Sequence, residues 1–138
     1  MERENLPLDR RLRQEILFAR ERVYRFGQPT PLERLILPGC EPAPEIWVKR
    51  EDLSPVKCYK WRGACNAMTQ LTPPQRASGV VTASAGNHAQ GVALAARTLG
   101  VEARIYMPRS TPKVKQNAVL HHGREFVRIV LAGDSYDE

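Results

Sequence analysis

Leu12, Ile16, Ala19, Val23 and Phe26 recur at spacings of four, three, four and three residues, one face of an α-helix. The pattern predicts a helix over residues 9–26, stopped by Gly27 and Pro29. From Thr30 the chain runs through Pro38, Pro42 and Pro44 as an irregular connection, too short for a domain linker. Ile46, Trp47, Val48 and Lys49 read as a short strand, and residues 50–58 as a polar loop. A second helix is expected from about Lys60, with Trp61, Ala64, Met68 and Leu71 on one face.

The second half is more regular. Residues 79–83 form an apolar run of the buried, parallel-sheet kind. It leads through Ser84, Ala85, Gly86, Asn87 and His88 into a helix with Ala89, Val92, Ala93, Ala96 and Leu99 inward and Gly100 as its C-terminal cap. A strand over 101–107 follows. Thr111 then caps a helix with Pro112 in its first position, ended by Gly123 after about His121, and residues 125–131 form a third strand. Alternation of this kind predicts right-handed βαβ units in an α/β fold: an open, twisted parallel sheet with flanking helices. Trp47 and Tyr106, in strands, are expected in the core or at a domain contact. Asp134 or Ser135 reads as the cap of a further helix, so the fold is expected to be incomplete, an N-terminal fragment.

Composition changes this picture little. The chain has 138 residues, enough for one domain, with 42% hydrophobic and 26% charged residues. No apolar run approaches the roughly 18–20 residues of a membrane span. The charged start, through Arg10 and Arg11, lacks the apolar core of a secretory signal, so a cytoplasmic setting is expected. Cys40, Cys58 and Cys65 are odd in number and lack CxxC spacing, which supports neither a disulfide framework nor a metal site. The net charge of +6 raises nucleic acid as a partner. The early arginines, however, are interleaved with Asp9, Glu15 and Glu21, the pattern of a solvated helix face.

Two places carry candidate chemistry. The 84–88 loop stands between a strand and a helix, where free N–H groups and the helix dipole favour an anion such as a carboxylate or phosphate. A plain βα turn accounts for the same residues equally well. Lys60, at a helix start and between Tyr59 and Trp61, is a candidate nucleophile if partial burial lowers its pKa. The other reading is a surface lysine with a buried stem. His121 and His122 diverge on a helix and read as a C-terminal pair favoured by the dipole rather than as metal ligands.

Residues 48–64, Val-Lys-Arg-Glu-Asp-Leu-Ser-Pro-Val-Lys-Cys-Tyr-Lys-Trp-Arg-Gly-Ala, resemble the cofactor-attachment segment of the serine/threonine dehydratases. Residues 81–93, Val-Thr-Ala-Ser-Ala-Gly-Asn-His-Ala-Gln-Gly-Val-Ala, resemble the second signature of that family, and the likeness extends from about residue 29 to the end. Within the family, the pattern is nearest to the biosynthetic threonine dehydratases (threonine ammonia-lyases). The resemblance implies a fold-type-II, tryptophan-synthase-β-like enzyme using pyridoxal 5′-phosphate. Lys60 matches the lysine that carries the cofactor. Asn87 matches the residue that hydrogen-bonds its 3′-hydroxyl, and Tyr59 stands where the family has an aromatic beside the lysine. Ser84, Ala85, Gly86, Asn87 and His88 match the loop that holds the substrate carboxylate. The implied reaction is β-elimination from threonine, giving 2-oxobutanoate and ammonia.

Departures from the family pattern carry their own expectations. Cys58 and Trp61 are larger than the usual residues at those positions and are expected to crowd the cofactor or shift substrate preference. Ala85 replaces the serine that acts as acid/base in the related serine racemases, which disfavours racemisation. No two of the nine glycines are adjacent, so the family's tetraglycine phosphate loop is missing. Residues 1–70 are expected to belong to the larger cofactor domain and 71–138 to the smaller substrate domain of a homo-oligomeric protein, this chain alone being inactive. A non-catalytic fragment and a related serine dehydratase are the alternatives.

Overall fold

The computed structural model describes residues 8–39, 42 and 44–135. The elements in chain order are α1 (Leu8–Val23), β1 (Leu32–Leu35), β2 (Ile46–Lys49), α2 (Trp61–Thr69), α3 (Pro73–Ser78), β3 (Val80–Ala83), α4 (Asn87–Leu99), β4 (Ala103–Met107), α5 (Lys113–Gly123) and β5 (Val127–Leu131). Single 3₁₀ turns precede α2, at Glu51–Leu53, and β5, at Arg124–Phe126.

The expected parallel sheet is present, in the order β3-β4-β5, with Val81, Arg104 and Arg128 in one cross-strand row. A separate antiparallel ribbon pairs β1 with β2, Leu32 opposite Lys49. The core lies where α2 and α4 meet the sheet. Trp61, Ala64, Cys65 and Met68 of α2 join Ala89, Val92, Ala93 and Ala96 of α4, with Ala103, Ile105 and Met107 of β4 beneath. The small residues of α4 let helix axes and sheet approach closely. No described helix is long and apolar enough to cross a membrane.

Several expectations change. α1 stops at Val23, and Tyr24 to Phe26 form a turn in which the Phe26 N–H donates to the Val23 carbonyl (3.0 Å). Of its periodic face only Val23 is buried, while Leu12 and Ile16 are each 58% exposed, because only the end of α1 reaches α2. β1 was expected as irregular chain. All four of its residues are exposed, so no alternation of burial marks the strand. β3 is an edge strand rather than a fully buried one, and Val81 is 69% exposed. Trp47 and Tyr106 are exposed rather than in the core, since each sits on an uncovered strand face. α3 begins at a capping box in which the Thr72 N–H donates to Gln75 Oε1 (2.8 Å), with Pro73 and Pro74 in its first turn.

The ends of α5 also differ. Pro112 is extended (φ −58°, ψ 142°), so the helix starts at Lys113 without a side-chain cap from Thr111. At the other end Arg124, not Gly123, takes the positive φ. Gly123 is needed for space: a Cβ there would lie 2.1 Å from Val127 Cγ2. Gly100 is the left-handed cap expected of it (φ 66°, ψ 34°). Cys40 and most of the helix start expected after Gly133 lie outside the described residues.

Candidate active site

The loop after β3 is held from both sides. The Ser84 N–H donates to the Tyr106 carbonyl (3.0 Å), extending the β3–β4 pairing, and the Gly86 N–H donates to Ser84 Oγ (3.3 Å). Gly86 is the capping residue of α4 and no side chain caps the helix. The first intrahelical bond runs from the Gln90 N–H to the Gly86 carbonyl (3.3 Å), so the N–H groups of Asn87, His88 and Ala89 have no partner within α4. A Cβ on Gly86 would meet nothing within 4 Å, so the approach to these donors is open. Asn87 and His88 are exposed. The loop lies at the carboxyl end of β3, where open α/β sheets bind ligands. Beside it a cavity of about 340 Å³ is lined by Ala83, Tyr106, Met107 and Pro108.

Lys60 is brought up by a tight loop. Ser54 Oγ donates to the Cys58 carbonyl (3.0 Å) and the Lys57 N–H to the Ser54 carbonyl (3.0 Å), while Lys57 adopts a left-handed φ of 59°. Ser54, Val56 and Cys58 are buried and anchor the loop, and Tyr59 and Lys60 emerge from it. Lys60 is exposed and caps α2. Its expected burial between aromatics is absent: Tyr59 is 64% exposed, and Trp61 turns fully inward. Trp61 Cη2 would lie 3.3 Å from a Cβ on Gly27. The two bulky departures, Cys58 and Trp61, therefore fill the core rather than the space around Lys60.

The two places meet through a helix contact. A Cβ on Gly91 would lie 2.8 Å from the Trp61 Cα, so the start of α2 is pressed against the second turn of α4. Asn87 is one turn before Gly91 on the same face of α4, and Lys60 is one residue before Trp61. The structure thus brings the amine-bearing end of α2 beside the uncapped end of α4. This is a fit to a ligand with an aldehyde for the amine and oxygens for the N–H donors.

Periodicity gave no hint of the polar cluster behind Lys60. Arg62 donates from Nη1 to the Tyr24 hydroxyl (2.9 Å) and from Nη2 to Glu51 Oε1 (2.9 Å), and Thr30 Oγ1 donates to the same Glu51 oxygen (2.6 Å). Burial works to raise the Glu51 carboxyl, but the hydrogen bonds from Thr30 and Arg62 outweigh it and hold the pKa below the usual glutamate value. Burial likewise opposes the Arg62 charge, and its bonds to Glu51 and Tyr24 more than restore it. Both residues lie inside the 48–64 segment, whose charges alone do not say which of them pair.

His121 and His122 stack edge to face, with ring centroids 5.4 Å apart. The dipole was expected to favour their cationic forms. For His122 burial does the reverse and pushes its pKa down, helped by the nearby charges of His121 and Arg97. Among the described residues no three His, Cys, Asp or Glu side chains cluster as a metal site.

A profile of the family described as "Pyridoxal-phosphate dependent enzyme" matches residues 23–138. The chain belongs to the pyridoxal-phosphate dependent enzyme family. The L-threonine dehydratase biosynthetic IlvA of Corynebacterium glutamicum is 48% identical to it over 124 residues, covering 90% of this chain and 28% of that protein. The protein of the same name from Haemophilus influenzae is 46% identical over 85% of this chain and 22% of its own length. The processed form of threonine deaminase isoform 2 from Solanum lycopersicum superposes with a TM-score of 0.80 at 38% identity, covering 96% of this chain and 36% of that one. Maize serine racemase superposes with a TM-score of 0.77 at 30% identity. The chain spans about a quarter of the length of the curated relatives it matches. Their shared fold is the parallel α/β arrangement expected from the two motifs.

Proposed function

We propose that this chain supplies the lysine-bearing part of an enzyme that converts L-threonine to 2-oxobutanoate and ammonia, water being lost in the β-elimination and taken up again when the product hydrolyses. The observation that carries the reading is the α2–α4 contact at Trp61 and Gly91, which sets an exposed lysine amine beside an uncapped helix N-terminus. The names of the relatives supply the substrate class.

Lys60 would hold pyridoxal phosphate through its amine, with Tyr59 beside it and Asn87 hydrogen-bonding the 3′-hydroxyl of the cofactor. Bound there, the cofactor supplies an electron sink for negative charge at the substrate Cα. The N–H groups at the start of α4, with Ser84 to His88 around them, would bind the substrate carboxylate and fix which Cα bond faces the lysine. The freed Lys60 amine would take the α-proton. Ala85 offers no acid or base, so this chain has no proton donor at that position and elimination is favoured over racemisation. The cofactor phosphate would be held by residues this sequence does not contain.

Residues 1–70 with the β1–β2 ribbon are assigned to the cofactor domain and 71–138 with the parallel sheet to the substrate domain. A cytoplasmic setting and a homo-oligomer belong to the same proposal; one relative, from Solanum lycopersicum, is named as chloroplastic.

The test is a chimera in which residues 23–138 replace the matching segment of the Corynebacterium glutamicum relative. It is expected to release 2-oxobutanoate from threonine faster than pyruvate from serine, and Lys60→Ala is expected to abolish both. An inactive chimera, or turnover that survives Lys60→Ala, overturns the proposal.

A further inference from the structure

Three successive residues at the start of α2 face three ways. Lys60 has helical dihedrals (φ −63°, ψ −22°), so Trp61 and Arg62 lie about 100° and 200° around the axis from it. Trp61 is gripped on one side: it is 0% exposed and its backbone abuts Gly91. Arg62 is gripped on another. Its guanidinium carbon stands 5.3 Å from the Tyr24 ring centroid and 5.0 Å from that of Trp61. Its nitrogens reach Tyr24 Oη, Glu51 Oε1 and, at 3.4 Å, Thr30 Oγ1. Lys49 Nζ in turn donates to the Thr30 carbonyl, which ties the cluster to the β1–β2 ribbon. Only the side bearing Lys60 is left to solvent.

Desolvation offsets part of the attraction in this partly buried ion pair, and Glu51 Oε2 is buried without a hydrogen-bond partner, so stability alone does not account for the cluster. What it supplies is direction. A planar guanidinium that stacks and forks at once holds one geometry, which a lysine at the same place does not.

We propose that Arg62, held by Glu51, Thr30 and Tyr24, is a positioning residue that fixes the rotation of α2 about its axis and so keeps the Lys60 amine on the open side of the helix, one residue from the contact with α4. The proposal rests on the reading of Lys60 as the cofactor-attachment residue.

Pyridoxal phosphate itself is the probe. A lysine amine condenses with the aldehyde carbon, water leaves, and borohydride reduces the C=N bond to a stable secondary amine that peptide mass mapping locates. The full chain, Glu51→Gln and Arg62→Lys are compared, with Lys113 and Lys115 on α5 as internal references. Attachment at Lys60 in the unaltered chain is expected to outrun the two references. Each variant is expected to lower the limiting rate at Lys60 about tenfold, with the half-saturating concentration and the rates at Lys113 and Lys115 unchanged. Wild-type rates at Lys60 in both variants overturn the positioning role and leave Lys60's own role standing. Faster attachment at Lys113 and Lys115 in the variants also overturns it, since that is general loosening. If the unaltered chain shows no preference for Lys60, the reading of Lys60 and the positioning role fall together.

Discussion

Gly91 on α4 and Trp61 on α2 meet backbone to backbone: a Cβ on the glycine would lie 2.8 Å from the Trp61 Cα and 3.2 Å from its nitrogen. Neither atom can move without shifting a helix. Gly91→Ala is therefore expected to destabilise the chain by about 2 kcal/mol, in the range of overpacked cores. Gly63 is the contrast, since a Cβ there meets nothing within 4 Å and the residue is exposed inside α2. Gly63→Ala is expected to stabilise by about 0.5–1 kcal/mol through helix propensity. Denaturant midpoints of the two variants measure both, and a tolerated Gly91→Ala would contradict the close helix contact.

Glu51 gives a dependence on acid. Its folded pKa lies below its unfolded value, so the stability it contributes is present above the ordinary glutamate range and is lost as pH falls through the folded pKa. Thermal unfolding followed from neutral to acid pH is expected to lose less stability in Glu51→Gln than in the unaltered chain. Parallel curves for the two would remove the charge of Glu51 from the account.

His122 acts in a higher window. Burial, first, and the charges of His121 and Arg97 depress its pKa when folded, so near and below pH 6.5 the unfolded chain binds the proton more readily. Stability is expected to fall as pH drops from about 7 through the folded pKa. His122→Asn is expected to flatten that part of the profile, and an unchanged step there would assign it to another group.

Cys65 is 0% exposed, and burial pushes its thiol pKa up to about 12. The thiolate is the reactive form, so Cys65 is expected to resist alkylation at pH 8 until the chain unfolds. Mass mapping after a short iodoacetamide pulse checks this. Labelling of Cys65 in the native chain at the rate of the denatured one would show that α2 does not pack as described.

Much of the second half was legible residue by residue. Alternating strands and helices, the left-handed Gly100 and the inward alanines of α4 are local patterns, because they follow from period, cap chemistry and side-chain size. The two motifs also named Lys60 and the Ser84–His88 loop. Less visible were elements without a periodic signature: the wholly exposed β1, and α3, whose only advertisement was Thr72, two prolines and Gln75.

By itself, then, the sequence determined the parallel α/β class and the family, and it singled out the residues proposed to carry the chemistry, since all three readings draw on short-range order. The tertiary structure alone decided which way those residues turn. It sent Trp61 and Cys58 into the core and left Lys60 exposed, because Gly27 leaves room for the indole and Gly91 for the Trp61 backbone, while the buried Ser54–Cys58 loop carries the lysine outward. It also paired Glu51 with Arg62, eleven positions apart, an arrangement that depends on how loop and helix pack and that no spacing along the chain records.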